Sequence, residues 1–286
     1  LLRNDRAPSN AGGVAFVQLD AALQDPVSVV VDELVDRGYR GYAGDDRQYA
    51  VVRGESVVVA RRLPLLAHSQ HAMAKWLILA PHPDDETIGV GALLASLALS
   101  NKLAGVIHLT DGGGSRATTS DLDRSRLVRQ RYREAQTALR RLTGSRRFLL
   151  PSLGWIDAKP YSIGTIEHAR TVRRLNALCQ RLRVDIIATT ASEDAHCDHQ
   201  AAYRLATEVA ACSIRAVRVA EYVVWGSPPP QKSHRSFRTA SILGGVRRAA
   251  LRSFQSQLAS RADNTFSLPM SMRTPKTFDT LHFRRT

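Results

Sequence analysis

Trp76-Leu77-Ile78-Leu79-Ala80-Pro81-His82-Pro83-Asp84-Asp85-Glu86 runs from a β-rich apolar stretch straight into an imidazole and three acids, and the apolar helical pattern of Thr87–Ser100 follows at once. A strand feeding a polar turn and then a helix is one βα step. The chain repeats it. Further β-rich runs at Gly105–Thr110, Arg147–Leu150, Val184–Thr190 and Val217–Trp225 alternate with helical patterns at Asp121–Leu142, Ile163–Leu182 and His199–Ala211. In Ile163–Leu182 the apolar stripe is Ile163, Ile166, Val172, Leu175, Leu178 and Leu182, spaced mostly by threes. This rhythm predicts an α/β protein, a three-layer Rossmann-like fold with a mostly parallel sheet between two layers of helices.

The flanks follow other patterns. Residues 1–70 read as an N-terminal appendage, with Val27–Arg37 as strand or short helix and a β-hairpin of Gln48–Arg53 and Ser56–Ala60 around Gly54-Glu55. The core is expected over residues 71–260. Ser227-Pro228-Pro229-Pro230 interrupts it before a helix at Gly244–Ala259, and residues 261–286 read as a C-terminal tail.

Composition narrows the class. With 44% hydrophobic and 23% charged residues, a mainly disordered chain is excluded. The longest apolar stretch, Ile88–Leu99, is broken by Gly89, Gly91 and Ser96, so it reads as a buried helix rather than a membrane span. Leu1–Arg6 leads into no signal-peptide core, and Cys179, Cys197 and Cys212 have neither metal nor redox spacing. A cytoplasmic protein is the expectation.

The 286-residue chain carries a net charge of +14, which raises a polyanionic partner. Much of the excess is local. Arg116–Arg147 holds ten arginines against Asp121, Asp123 and Glu134, and on a helix Arg126, Arg129, Arg133 and Arg140 share one face. No aromatic residues interleave with them, and no helix-turn-helix or zinc-finger spacing is present. A solvated helix face accounts for the stripe, and no specific nucleic acid is expected.

Two polar clusters carry the chemistry. The first is His82 with Asp84 and Asp85; the second is Glu193-Asp194-Ala195-His196-Cys197-Asp198-His199, again between a strand end and a helix start. In a doubly wound sheet the first and fourth strands are neighbours, and ligands bind in the crevice where the strand order reverses. The clusters should therefore face each other. Hydrolytic metal sites draw three protein ligands from His and carboxylate, and His82, Asp85 and His199 make such a set. That leaves Asp84 and His196 for proton transfer, with Asp198 placed to orient the His196 imidazole. Structural roles compete at each position: Asp198 as a helix cap, His196 as a surface loop residue.

Ala80-Pro81-His82-Pro83-Asp84-Asp85-Glu86 resembles the hallmark motif of the LmbE/PIG-L family of zinc-dependent N-acetylglucosaminyl deacetylases, and His196-Cys197-Asp198-His199 resembles its second motif, with Cys where Pro is usual. Thr110-Asp111-Gly112-Gly113-Gly114-Ser115 is similar to the family's glycine loop, Arg131 with Glu134 to its Arg-x-x-Glu helix, and Ser256-Gln257 to a late Ser-Gln. The resemblance implies that His82, Asp85 and His199 bind zinc or another divalent metal, with Asp84 as general base and His196 as acid or oxyanion partner. It implies a hydrolase that removes an N-acetyl group from an amino sugar in a glycoconjugate, whether small-molecule or lipid-linked. An amidase of a thiol- or lipid-linked sugar conjugate is the alternative, and a basic polyanion-binding protein with a vestigial site is the rival class. The glycine loop is expected to present exposed N–H groups, Arg116 to bind substrate, and Arg131, paired with Glu134, to brace the loop.

Overall fold

A computed structural model describes residues 14–19, 40–43, 48–53, 56–115, 118–258 and 276–285. Toward the N-terminus, strands β1 (Val14–Leu19), β2 (Arg40–Ala43), β3 (Gln48–Arg53) and β4 (Ser56–Arg62) form a sheet in the order β1-β4-β3-β2. β3 and β4 pair antiparallel with Arg53 opposite Ser56, which is the expected hairpin; β1 adds parallel to β4. Val27–Arg37 lies outside the described residues.

The central sheet begins with β5 (Trp76–Ala80), followed by α1 (Asp85–Leu99), β6 (Leu103–His108), α2 (Asp121–Thr143), α3 (Ile166–Leu182), β7 (Ile186–Thr190), α4 (Cys197–Cys212) and β8 (Arg218–Tyr222). Then come β9 (His234–Arg238), α5 (Gly244–Leu251), α6 (Gln255–Leu258) and β10 (Thr280–Arg284). Strand order is β6-β5-β7-β8-β10-β9, with β6, β5, β7 and β8 parallel and the β10–β9 edge antiparallel. β5 thus sits between β6 and β7, the reversal expected of a doubly wound sheet.

Both faces of the sheet are buried, as continuous apolar strands require. Trp76 and Ile78 face a core built with Leu93 and Leu94 of α1 and Ala135 and Leu139 of α2; Leu77 and Leu79 face the opposite core, with Leu175 of α3 and Leu205 of α4. Three layers result. Gly89 lets α1 lie against the sheet, since a Cβ there would stand 2.3 Å from the Tyr222 ring.

Three local expectations fail. The stretch expected as a C-terminal tail instead contributes β10 to the central sheet, between β8 and β9. Arg147–Leu150 forms no extended strand among the described residues: Leu149 makes one isolated parallel bridge to Val106, with Val106 N donating to Phe148 O at 2.7 Å and Leu150 N to Val106 O at 2.8 Å. The run is too short, and too soon followed by Pro151 and Gly154, to extend the ladder. In α3 the stripe is misassigned. Ile163 precedes the N-cap Thr165, and Ile166, half a turn around the helix from Leu175, is 64% exposed. Steps of three lag the 3.6-residue turn by about 60° each, so a stripe of threes walks around the helix. The buried face is His168, Thr171, Val172, Leu175 and Cys179, where threes alternate with fours.

Candidate active site

The carboxyl ends of β5, β6 and β7 converge on one crevice. β5 ends at Ala80, and the turn Pro81–Pro83 delivers His82, Asp84 and Asp85 to the start of α1. Asp84 caps that helix with φ 147°, a backbone region that costs a side-chain-bearing residue on the order of 1–3 kcal/mol. Its neighbours hold it there. Asp84 N donates to Glu86 Oε2 at 3.1 Å, and Asp84 O accepts from Thr87 N and Ile88 N at 2.9 Å each. Arg131 reaches over from α2, donating to Pro83 O at 2.8 Å and Gly112 O at 3.0 Å, with Nη2 3.3 Å from Asp84 Oδ2. Burial pushes the Asp84 carboxyl up to about 7, against the pull of Arg131.

From the other side, β7 leads to the His196 cap and first turn of α4, bringing in His196, Asp198 and His199. Asp85 Oδ2 lies 3.1 Å from His82 Nδ1 and 3.2 Å from His199 Nε2. His82 Nε2 lies 3.0 Å from Asp198 Oδ2 and 3.1 Å from Asp157 Oδ1. His199 Nδ1 lies 3.1 Å from Asp194 Oδ2. Burial disfavours charge on these rings, yet the surrounding carboxylates win: His82 is held well above its ordinary range and His199 is raised to about 9. Burial also works against the Asp85 carboxylate, but the two imidazoles keep it well below its ordinary range. The crevice is built to hold positive charge.

A divalent cation fits this donor set. Both His199 ring nitrogens are buried and off the line of a good hydrogen bond despite their carboxylate neighbours, so Nε2 and Asp85 Oδ2 converge without satisfying each other. His82, His196 and His199 each offer a ligand atom within 4.8 Å of the others, and His82, Asp157 and Asp198 form a second such group. Asp194 behind His199 is the carboxylate that fixes ring orientation in many metal sites.

Of the residues singled out from the sequence, His82, Asp84, Asp85, His196, Asp198 and His199 come together here, and Arg116 lies outside the described residues. Three roles differ from expectation. The Asp198 carboxylate bonds His82 rather than His196, because the first turn of α4 buries it and Ala158 N donates to it at 2.8 Å. His196 Nδ1 instead accepts from Asp198 N at 3.2 Å, which leaves the ring proton on Nε2. The glycine loop does not present free N–H groups: Gly112, Gly113 and Gly114 donate to Thr110 Oγ1, Asp111 Oδ1 and Asp157 Oδ2. Gly112 itself, at φ 70° with Arg131 Nη1 2.8 Å from where a Cβ would stand, must be glycine. Arg131 braces the loop alone, while Glu134 turns away to accept from Ser256 N and Oγ at 3.0 and 2.5 Å.

Sequence reasoning gave no role to Asp157, Asp194 or Glu86. Asp157 follows the third β-rich run at a distance of seven residues, and position along the chain was the one available signal. Glu86, which accepts from Asp84 N, lies 3.1 Å from His108 Nε2 on β6, a pairing only the folded sheet creates.

The family model described as PIG-L, GlcNAc-PI de-N-acetylase, matches residues 77–210, which span β5 to α4 and every residue of this crevice named from the motifs. Residues 77–210 are thus similar to the PIG-L family. No curated protein matches the sequence. Among solved structures, the chain resembles the A40926 pseudoaglycone deacetylase Dbv21 at 15% identity over 74% of this chain and 97% of that one, with TM-score 0.53. It also resembles the N,N'-diacetylchitobiose deacetylase from Pyrococcus horikoshii at 18% identity over 74% and 86%, with TM-score 0.52. A deacetylase of teicoplanin biosynthesis matches at 16% identity over 74% and 98%, with TM-score 0.52. At these identities the likeness is one of fold. No helix among the described residues is long and apolar enough to cross a membrane.

Proposed function

We propose that this protein is a metal-dependent N-deacetylase that hydrolyses the acetamide of an amino sugar in a glycoconjugate. The observation that carries the reading is the convergence of Asp85 Oδ2 on His82 Nδ1 and His199 Nε2 beside a buried, separately held Asp84. His82, Asp85 and His199 would hold the cation, zinc being the first candidate. When bound, such a cation polarises the amide carbonyl and makes water nucleophilic near neutral pH. Asp84, with its carboxyl near 7, takes a proton from the attacking water. The His196 Nε2–H donates to the carbonyl oxygen as it gains charge, its tautomer set by the Asp198 N–H on Nδ1. As the C–N bond breaks, the proton held by Asp84 passes to the departing amine, and acetate and a free amino sugar result.

The match to a GlcNAc-PI de-N-acetylase family and the likeness to the A40926 pseudoaglycone and diacetylchitobiose deacetylases support an amino-sugar substrate over a thiol-linked one. Arg116 remains a proposed substrate contact. The intact donor set counts against a vestigial site. The test is metal analysis of the purified protein together with acetate release from a panel of N-acetylglucosamine conjugates. Acetate release that a chelator abolishes and zinc restores is expected. Stoichiometric metal with no release from any conjugate would contradict amino-sugar deacetylation, and chelator-resistant release would contradict the metal.

A further inference from the structure

A groove of about 630 Å³ opens on the solvent side of α2. Its walls are Arg126, Arg129, Arg133 and Arg141 of that helix and Arg252 from beyond α5, with Glu134 at the base. All five arginines are exposed. Glu134 is already committed to Ser256 and Gln130, Arg141 donates to Ala249 O and Ser253 Oγ, and Arg126 lies 3.4 Å from Asp123. Arg129, Arg133 and Arg252 have no carboxylate within ion-pair distance among the described residues.

A solvated helix face usually alternates acids with bases at i±3 and i±4, since like charges there destabilise a helix. Here the i±3 and i±4 neighbours of Arg129 are Arg126, Tyr132, Ser125 and Arg133. Those of Arg133 are Gln130, Gln136, Arg129 and Thr137. No acid relieves either, and the facing wall adds Arg252 rather than a carboxylate. Three members of the stripe seen in the sequence, Arg126, Arg129 and Arg133, line one wall of a concave cationic site whose other wall comes from more than 100 residues away (252 against 133). Guanidinium forks bind phosphate oxygens two at a time, and a rise of about 6 Å separates the Arg129 and Arg133 levels, a spacing suited to two linked phosphates.

We propose that this groove binds a diphosphate-class group, with Arg129 and Arg133 holding it from one wall and Arg252 from the other. The site is separate from the reacting centre. Arg131 of the same helix turns inward to Asp84, whereas the groove lies on the outer face. The inference does not depend on the deacetylase reading.

The test is titration calorimetry of the full chain with inorganic pyrophosphate. One-to-one binding is expected, weakened at least tenfold in Arg129→Glu/Arg133→Glu and in Arg252→Glu. The equal charge change Arg170→Glu/Arg173→Glu, at exposed positions of α3 on the opposite side of the sheet, should alter affinity less than twofold. Arg129→Gln/Arg133→Gln gives the same reading should charge reversal disturb folding. Equal loss in the groove and control variants, or no binding by the unaltered chain at low salt, would overturn the site. Sedimentation with vesicles carrying CDP-diacylglycerol, whose headgroup contains a diphosphate, separates the sources. Capture that pyrophosphate displaces assigns a lipid headgroup, and pyrophosphate binding without capture assigns a soluble diphosphate. Capture insensitive to pyrophosphate and to Arg129→Glu/Arg133→Glu would overturn the groove in favour of diffuse charge.

Discussion

His71 and His196 show how burial and partners give one residue type two different jobs. His71 stacks on Phe283 at 4.0 Å and meets Phe237 edge-on. Burial, then Arg218 and Arg235, lowers its pKa to about 4. A histidine lowered in the fold binds its proton more readily when unfolded, so it leaves stability intact above about pH 6.5 and removes it as pH falls toward 4. At about 1.4 kcal/mol per pKa unit, the loss approaches on the order of 3 kcal/mol. His71→Phe should flatten that decline in denaturant titrations at pH 7, 5.5 and 4; an unchanged slope would contradict the assignment. His196 is half-buried, and burial with the neighbouring His82 and His199 lowers its pKa as well, but its ring faces the crevice. His196→Gln should leave bound metal near the level of the unaltered protein and reduce kcat by about 10²–10³, the usual cost of one oxyanion donor. Loss of metal equal to that in His199→Ala would make His196 a ligand instead.

α1 carries the tightest packing constraint. Gly89→Ala would drive a methyl into the Tyr222 ring, a side chain fully buried between helix and sheet. Overpacking of this kind costs about 1–3 kcal/mol, more than the roughly 1 kcal/mol gained by removing a helical glycine. A lower unfolding midpoint is expected, and an unchanged or raised one would show that the contact relaxes freely. β5, α1, α2, β7 and α4 were readable from sequence because pattern and partner agree: each apolar face is one the sheet buries. What could not be read was set by neighbours far along the chain. α3 starts at its Thr165 cap rather than at Ile163, and its stripe needed the sheet to select the buried face. In the crevice, the motifs gave His82, Asp84, Asp85, His196, Asp198 and His199. Their pairing was not given, because whether Asp198 turns to His82 or to His196 depends on where the loop carrying Asp157 and Ala158 falls.

Across the whole molecule, the C-terminal segment is part of the structure that carries the site. β10 lies between β8 and β9 with Leu281 and Phe283 in the core, and Asp279 of the same segment accepts from Leu93 N at 2.7 Å and pairs with the buried Arg247. Arg247 in turn donates to Thr87 O at 3.0 Å and to Ile88 O, on the first turn of α1 behind Asp84. Ending the chain at residue 275 should therefore abolish cooperative unfolding by circular dichroism, whereas an intact transition would mean that the parallel strands suffice alone. The central claim is a division of labour between adjacent acids: Asp85 holds the metal and Asp84 moves the proton. It is tested most directly by metal content measured beside kcat for Asp84→Asn and Asp85→Asn. Asp84→Asn should retain its metal and lose about 10²–10⁴ in kcat, while Asp85→Asn should lose metal first and activity with it. Metal lost from Asp84→Asn and kept by Asp85→Asn would contradict the account.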